Sequence, residues 1–356
     1  MSTKKLINLG LQGGGAHGAF AWGVLDKLLE DGRIEFDGIC ACSAGTLNAC
    51  ALAYGLHLGG NDSARETLHN LWHHVYQSGM QFNPMPTTPW DPLFTTGLEE
   101  SISYFWFESM TRAFSPYQLN PFDINPLKTI LEDTIDFDAI RACSEVNLFI
   151  SATHVSSGKV KVFENSSLDI DVALASACLP FLFKAVEIQG EHYWDGGYMG
   201  NPSLFPLFYK NDTRDIMIVH INPIERQALP KDASDIMNRV NEITFNSSLI
   251  KDMRSIAFVK KLLDNDMLKE EYRSQFKDII LHSIRADEAL SDMSVASKFD
   301  TKWDSLTTLR DRGRATMGQW LEQHFDDVGT RDTVDIQAEF LSSVGDFFER
   351  PDTDII

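Results

Sequence analysis

Positive charge is in short supply. Against 51 Asp and Glu stand 31 Lys and Arg, a net charge of −20 over 356 residues. That shortage speaks against nucleic acid as a partner, because phosphate backbones bind basic surfaces. It speaks equally against simple electrostatic adsorption to anionic membranes. Cysteine is scarce too: Cys40, Cys42, Cys50, Cys143 and Cys178, an odd five. All stand among apolar or small residues, which suits reduced thiols in a cytoplasmic core and not a disulfide framework. Cys40-Ala41-Cys42 is too tight for an ordinary zinc or redox pair. Long apolar runs are missing, and none approaches the length of a membrane-spanning helix. Leu6-Ile7-Asn8-Leu9 lacks the length and cleavage site of an export signal. Cytoplasmic residence is therefore expected, and no internal repeat is found.

What is present is core. Hydrophobic residues make up 43% and charged residues 23% of the chain, enough for one large domain with a helical extension. Residues 6–11 read as a buried strand and Ala19–Leu29 as a helix with Phe20, Val24, Leu25, Leu28 and Leu29 at helical spacing. Phe36–Cys42 reads as a second strand and Thr46–Tyr54 as a buried helix. Strand, loop, helix, strand, turn, helix opens an α/β sheet with parallel strands. A further helix is expected over 63–78. Strands are expected near 146–153, 159–164, 183–188, 192–194, 215–222 and 279–284. Helices are expected at 170–176, 232–272 and 303–325.

Gly13-x-Gly15-x-x-Gly18 lies between a strand and a helix. A dinucleotide site uses the same context, but it places an acid at the end of the next strand. Here Glu35 and Asp37 sit at that strand's start and Ser43 at its end, so the dinucleotide reading fails. Successive glycines also let backbone N–H groups converge, and the helix amino end adds to their field. That arrangement suits an oxyanion. His17 within the loop either fixes it and lends charge, or is a locally bonded helix-end histidine.

Cys42-Ser43-Ala44-Gly45 follows an apolar strand and precedes an alanine-rich helix. This is the setting of a nucleophile elbow, with Ala41 in place of the usual first glycine. The plainer alternative is a buried helix-capping serine. Asp195-Gly196-Gly197 ends a strand carrying Tyr193 and Trp194. A carboxylate deprotonates serine only when oriented and partly desolvated; the plainer alternative is an Asp-Gly turn. A histidine base finds no candidate. His192 falls on the opposite strand face from Asp195, and His220 reads as a satisfied core histidine. A Ser43–Asp195 dyad is the simpler reading.

Together these segments resemble the bacterial patatin-like phospholipase family. The likeness extends to Ala175-Ser176-Ala177-Cys178-Leu179-Pro180-Phe181-Leu182-Phe183, to Asn201-Pro202, to 115–121 and to Asn241–Asn246, covering most of residues 6–260. It implies a three-layer α/β/α sandwich with a mostly parallel central sheet and a C-terminal helical extension. It implies lipid acyl hydrolysis through an acyl-enzyme, with Ser43 as nucleophile and Asp195 as base. The N–H groups of Gly13, Gly14 and Gly15 would form the oxyanion hole, supported by His17, Gly18, Gly45, Gly196 and Gly197. Position 17 is frequently Arg or Lys in the family. No metal or organic cofactor is needed. The substrate would be a phospholipid or another ester such as a neutral lipid or hydroxyalkanoate polymer, met by transient contact with a lipid surface. The rival of another class is a lipid- or protein-binding module without turnover.

The expected organisation is a catalytic domain over 6–210, an extension over 211–325 on the same core, and a loosely held acidic tail over 326–356. Residues 80–126 read as a proline- and aromatic-rich insertion, either an acyl-chain wall or a satellite core. His69 and His73 have metal-ligand spacing but lack the glutamate of a zinc-protease motif, and are expected on a solvated helix face.

Overall fold

The computed structural model describes residues 4–82, 109–111, 113–226, 229–231, 233–290, 293 and 295–341, without the side chains of 233, 234, 295 and 296. The predicted insertion falls largely on 83–108, outside the described residues, as does the predicted tail beyond 341.

The strands are β1 (Lys5–Leu11), β2 (Ile34–Ala41), β3 (Asn147–His154), β4 (Lys159–Glu164), β5 (Val186–Ile188), β6 (Glu191–Asp195), β7 (Asp215–His220) and β8 (Ile280–Arg285). The helices used below are α1 (Gly18–Asp31), α2 (Ala44–Phe82), α3 (Pro116–Leu119), α4 (Pro126–Thr134), α5 (Phe137–Ala142), α6 (Ile170–Ser176), α7 (Phe205–Lys210), α8 (Ala233–Asp264), α9 (Glu270–Arg273) and α10 (Trp303–His324). All strands form one sheet in the order β5-β6-β3-β2-β1-β7-β8, with β4 also on β3. Strands β3, β2, β1, β7 and β8 run parallel; β4 and β6 run antiparallel to β3. The parallel strands are apolar on both faces because helices cover both. β7 is buried at every residue.

Alternation sorts the side chains into two cores. Ile7, Leu9, Leu11, Met217 and Val219 face α1, α2, α6 and α10. Ile216 and Ile218 face α7 and the Leu249, Met253 and Ile256 stripe of α8. The result is the expected three-layer α/β/α sandwich.

One strand carries the functional geometry. A strand has only two edges. β4 lies along residues 149–154 of β3, so β2 and β6 must share the other edge. β2 covers that edge up to Ala41 opposite Ile150, and β6 covers it from Asp195 opposite Ala152. Running in opposite directions, the two strands point their carboxyl ends at each other.

The helices predicted over 46–54 and 63–78 are the two halves of α2, separated by non-helical backbone at Gly59 and Gly60. Two expectations need correction. The tail is not loose from Asp326: Val334, Ile336, Phe340 and Leu341 are buried on the α8 side of the sheet. Its apolar residues cover a face that would otherwise meet water. His69 and His73 are not on a merely solvated face, since both rings pack edge-on against Trp303, at 5.5 and 5.2 Å between centroids.

Candidate active site

Ser43 sits between β2 and α2 with φ at +53°. Left-handed backbone costs a non-glycine residue about 1–2 kcal/mol, so neighbouring structure must hold it there. Ser43 N donates to both the carbonyl oxygen and Oγ of Ser176, each at 3.1 Å. Ser43 O accepts from Thr46 N at 2.9 Å, which opens α2. Gly45 allows the close approach: a Cβ there would stand 2.3 Å from Leu11 O. Ala41 is tolerated because its methyl points into the core beside its strand partners Leu11 and Ile150.

Asp195 ends β6 and is 1% exposed. Its N–H donates to Cys178 O at 2.8 Å, and its carbonyl accepts from Thr153 Oγ1 at 2.8 Å. Carboxylate Oδ1 accepts from Gly197 N at 2.8 Å. Among the described residues Oδ2 has no hydrogen-bond partner. Burial pushes the carboxyl up to about 6, against the lowering influence of the Gly197 N–H and of the Ser43 hydroxyl. Ser43 thus lies close enough to act on this carboxyl without closing a hydrogen bond of normal geometry. At Gly196 a Cβ would fall 2.1 Å from Ser151 O and 3.1 Å from Cys42 Cβ, so the turn lies directly on the elbow.

The glycine loop completes the cluster. A Cβ at Gly13 would meet Ser43 Cβ at 2.4 Å. Gly13 N donates to Asn201 Oδ1 at 2.7 Å, and the same oxygen accepts from Cys42 Sγ at 2.7 Å. Gly13 O accepts from Asn222 Nδ2 at 2.7 Å. Buried Gln12 stitches the pieces together: Nε2 reaches Asn201 O and Asn246 Oδ1, and Oε1 accepts from Ile221 N and Asn222 N. Both polar groups of Gly13 are therefore engaged. Gly14 N and Gly15 N donate to no described residue.

The histidines stand apart. His17 Nε2 lies 2.6 Å from Ser297 Oγ. Burial, then Lys298 and Arg226, lowers its pKa to about 3. A neutral His17 lends the loop no charge. His192 is exposed, 3.9 Å from Glu187. His220 is buried but not satisfied, for neither ring nitrogen has a partner among the described residues. No described histidine bonds Ser43 or Asp195. His57, Cys143 and Glu145 bring ligand atoms within 4.8 Å of one another, but they stand at the amino end of β3, away from Ser43.

Gln12, Asn222 and Lys298 escaped the reading of the sequence, and Ser176 entered it only within the 175–183 segment. Gln12 and Asn222 carried a faint signal, as polar residues directly after apolar strands. Lys298 carried none. Asn201 was noticed only through its Asn-Pro motif.

Fold and geometry define a class: a three-layer α/β/α protein with a serine elbow at the carboxyl end of a parallel strand, faced by a buried aspartate and a glycine loop. The chain belongs to the patatin-like phospholipase family, whose model matches residues 9–208. It is thus a lipid hydrolase in kind. Among solved structures it is similar to VipD from Legionella pneumophila, at 13% identity over 97% of this chain and 74% of that one, with a TM-score of 0.42. It is also similar to ExoU of the Pseudomonas aeruginosa type III secretion system, solved in complex with SpcU. There the identity is 15% over 96% of this chain and 77% of that one, with a TM-score of 0.27. A search of curated proteins finds no match.

Proposed function

We propose that this chain is a serine-dependent carboxylic ester hydrolase of lipids, with Ser43 as nucleophile and Asp195 as its base. One observation carries the reading: a buried carboxylate oxygen without a partner, beside a serine held at positive φ. A carboxyl raised to about 6 is ionised at neutral pH yet basic enough to take a proton.

Asp195 Oδ2 accepts the hydroxyl proton as Ser43 Oγ attacks the ester carbonyl carbon. The oxyanion of the tetrahedral intermediate is held by Gly14 N–H and Gly15 N–H, near the amino end of α1. Collapse breaks the carbonyl–alcohol bond, and Asp195 returns its proton to the departing alcohol. Water then gives a proton to Asp195 and attacks the acyl-Ser43 carbonyl. The fatty acid leaves, and Ser43 recovers its proton.

A lipid surface is the proposed partner. Phe181 is 67% exposed in the loop between α6 and β5, and Met199, directly after the aspartate turn, is exposed as well. The segment around α3 docks on that loop, where Lys184 Nζ bonds Pro121 O and Ala185 N bonds the Tyr117 hydroxyl. It adds Tyr117 and the 86%-exposed Phe122. Five buried free thiols support residence in the cytoplasm. Among the described residues no helix is long and apolar enough to cross a membrane.

The test is hydrolysis of a medium-chain p-nitrophenyl ester and a mixed-chain phospholipid by wild type, Ser43→Ala and Asp195→Asn. Both variants should fold and lose about three orders of magnitude or more in kcat. Turnover retained by Ser43→Ala would overturn the assignment. The ratio of the two substrate rates separates a phospholipase from a general esterase.

A further inference from the structure

Among the described residues the N–H groups of Gly14 and Gly15 have no partner, and the peptide that carries the first of them is gripped through its carbonyl. The peptide joining Gly13 and Gly14 has its carbonyl on Gly13 and its N–H on Gly14. Asn222 Nδ2 donates to that carbonyl at 2.7 Å. Asn222 Oδ1 in turn accepts from Lys298 Nζ at 2.9 Å. A lysine can only donate, so the amide orientation is fixed by its partners. The groups stand head to tail: ammonium, side-chain amide, main-chain amide.

Among the described residues no carboxylate lies within ion-pair distance of Lys298. The neighbouring acid, Glu242, is occupied by Arg226 at 2.7 Å and Arg239 at 3.2 Å. The segment holding Lys298 is docked on the loop itself. Ser297 meets His17, and Gly15 at φ +60° leaves room for Lys298 O, which a Cβ would approach to 2.5 Å. A part-buried cation that shares its nearest acid with two arginines favours further negative charge nearby. Hydrogen bonds in series polarise one another, so a proton held at Lys298 sharpens the last donor in the row.

We infer that Lys298 is a positioning residue for catalysis: through Asn222 it polarises the Gly13–Gly14 peptide and strengthens Gly14 N–H as a donor to the oxyanion. The inference rests on the Ser43 reading above. Neither Lys298 nor Asn222 lies within residues 9–208, so the relay is built by the part of the chain beyond the family match. It also restores a positive charge behind the loop where neutral His17 supplies none.

The relay has a pH signature. Burial brings the Lys298 ammonium down to about 8, with Glu242 opposing and Arg226 assisting. The other groups facing it are silent in that range: His17 is neutral, Arg226 is held charged by Glu242, and Glu242 is held low as a carboxylate. Activity should therefore fall above pH 8.

The experiment compares wild type, Lys298→Met and Lys298→Arg on a soluble short-chain ester from pH 5 to 10, with thermal melting as a control. Lys298→Met should cut kcat about tenfold to hundredfold, leave KM within about twofold, and lose the basic limb. Lys298→Arg should recover most of kcat and move that limb upward. A second readout needs no turnover: in Ser43→Ala, the Gly14 amide nitrogen resonance should titrate with a midpoint near 8, and Lys298→Met should flatten it. An unmoving Gly14 resonance, or full kcat in folded Lys298→Met, overturns the relay. If wild type shows no Ser43-dependent turnover, the hydrolase reading fails, while the Gly14 titration still decides the relay.

Discussion

In the proposed dyad, Asp195 trades stability for chemistry. Its carboxyl titrates near 3.8 when exposed and near 6 in the fold. The folded state therefore binds more protons between those values, and stability falls as pH rises through them. Below about pH 4 the penalty is absent; above about pH 6 it is complete, on the order of 2–3 kcal/mol. Asp195→Asn should accordingly resist urea better than wild type at pH 8, and the gap should close by pH 4. The catalytic counterpart has the opposite direction: kcat/KM should drop about tenfold per pH unit below 6, as the base is protonated. Ser43 holds a second local cost. Ser43→Gly relieves the left-handed strain and should melt higher than Ser43→Ala, by about 1 kcal/mol. Denaturation of the two inactive proteins side by side checks this. Ser43, Asp195 and the glycines were legible because short motifs carry them. The engagement of Gly13 was not, because its partner Asn201 lies 188 residues away.

At the scale of elements, the elbow depends on one close crossing. Gly45→Ala drives a methyl into Leu11 O and should abolish turnover while costing about 1–3 kcal/mol. Ala41→Gly, which restores the usual elbow pattern, removes only a buried methyl and should leave kcat near wild type. Comparing the two by kcat and by urea midpoint separates geometry from stability. The exposed aromatics belong to this scale too. Phe122→Ser with Phe181→Ser should lower hydrolysis of vesicle phospholipid about tenfold and spare a soluble short-chain ester. Equal losses on both substrates would remove the lipid-surface role. Most strands and helices were legible to within a few residues, since apolar periodicity sets them. The two halves of α2 were legible as well, on either side of the non-helical Gly59 and Gly60.

For the whole molecule, the informative error is the tail. Its acids invited a reading of loose chain, and its scattered apolar residues gave no period. Their burial becomes visible only once β7, β8 and α8 leave a face to be covered. Phe340→Ala should cost about 3 kcal/mol by equilibrium unfolding, as a core deletion does. The same layer places Phe340 beside unsatisfied His220, 5.5 Å between ring centroids. The layered sandwich was legible from the alternation of strands and helices. The crowding of remote residues around the glycine loop was not, because it arises from sheet order and not from local sequence.

The two strands that meet on one edge of β3 behave like planks butted along a common splint. The gap between the ends of β2 and β6, and so between the proposed nucleophile and base, is then set by two residues of extended main chain, Ile150 to Ala152, and not by the reach of any side chain. Loosening a surface loop leaves that gap unchanged. It opens only when the splint itself gives way, so heat should leave the enzyme competent until the sheet as a whole is lost. Amide exchange at Ser151 and Ala152 should then be as slow as global unfolding allows.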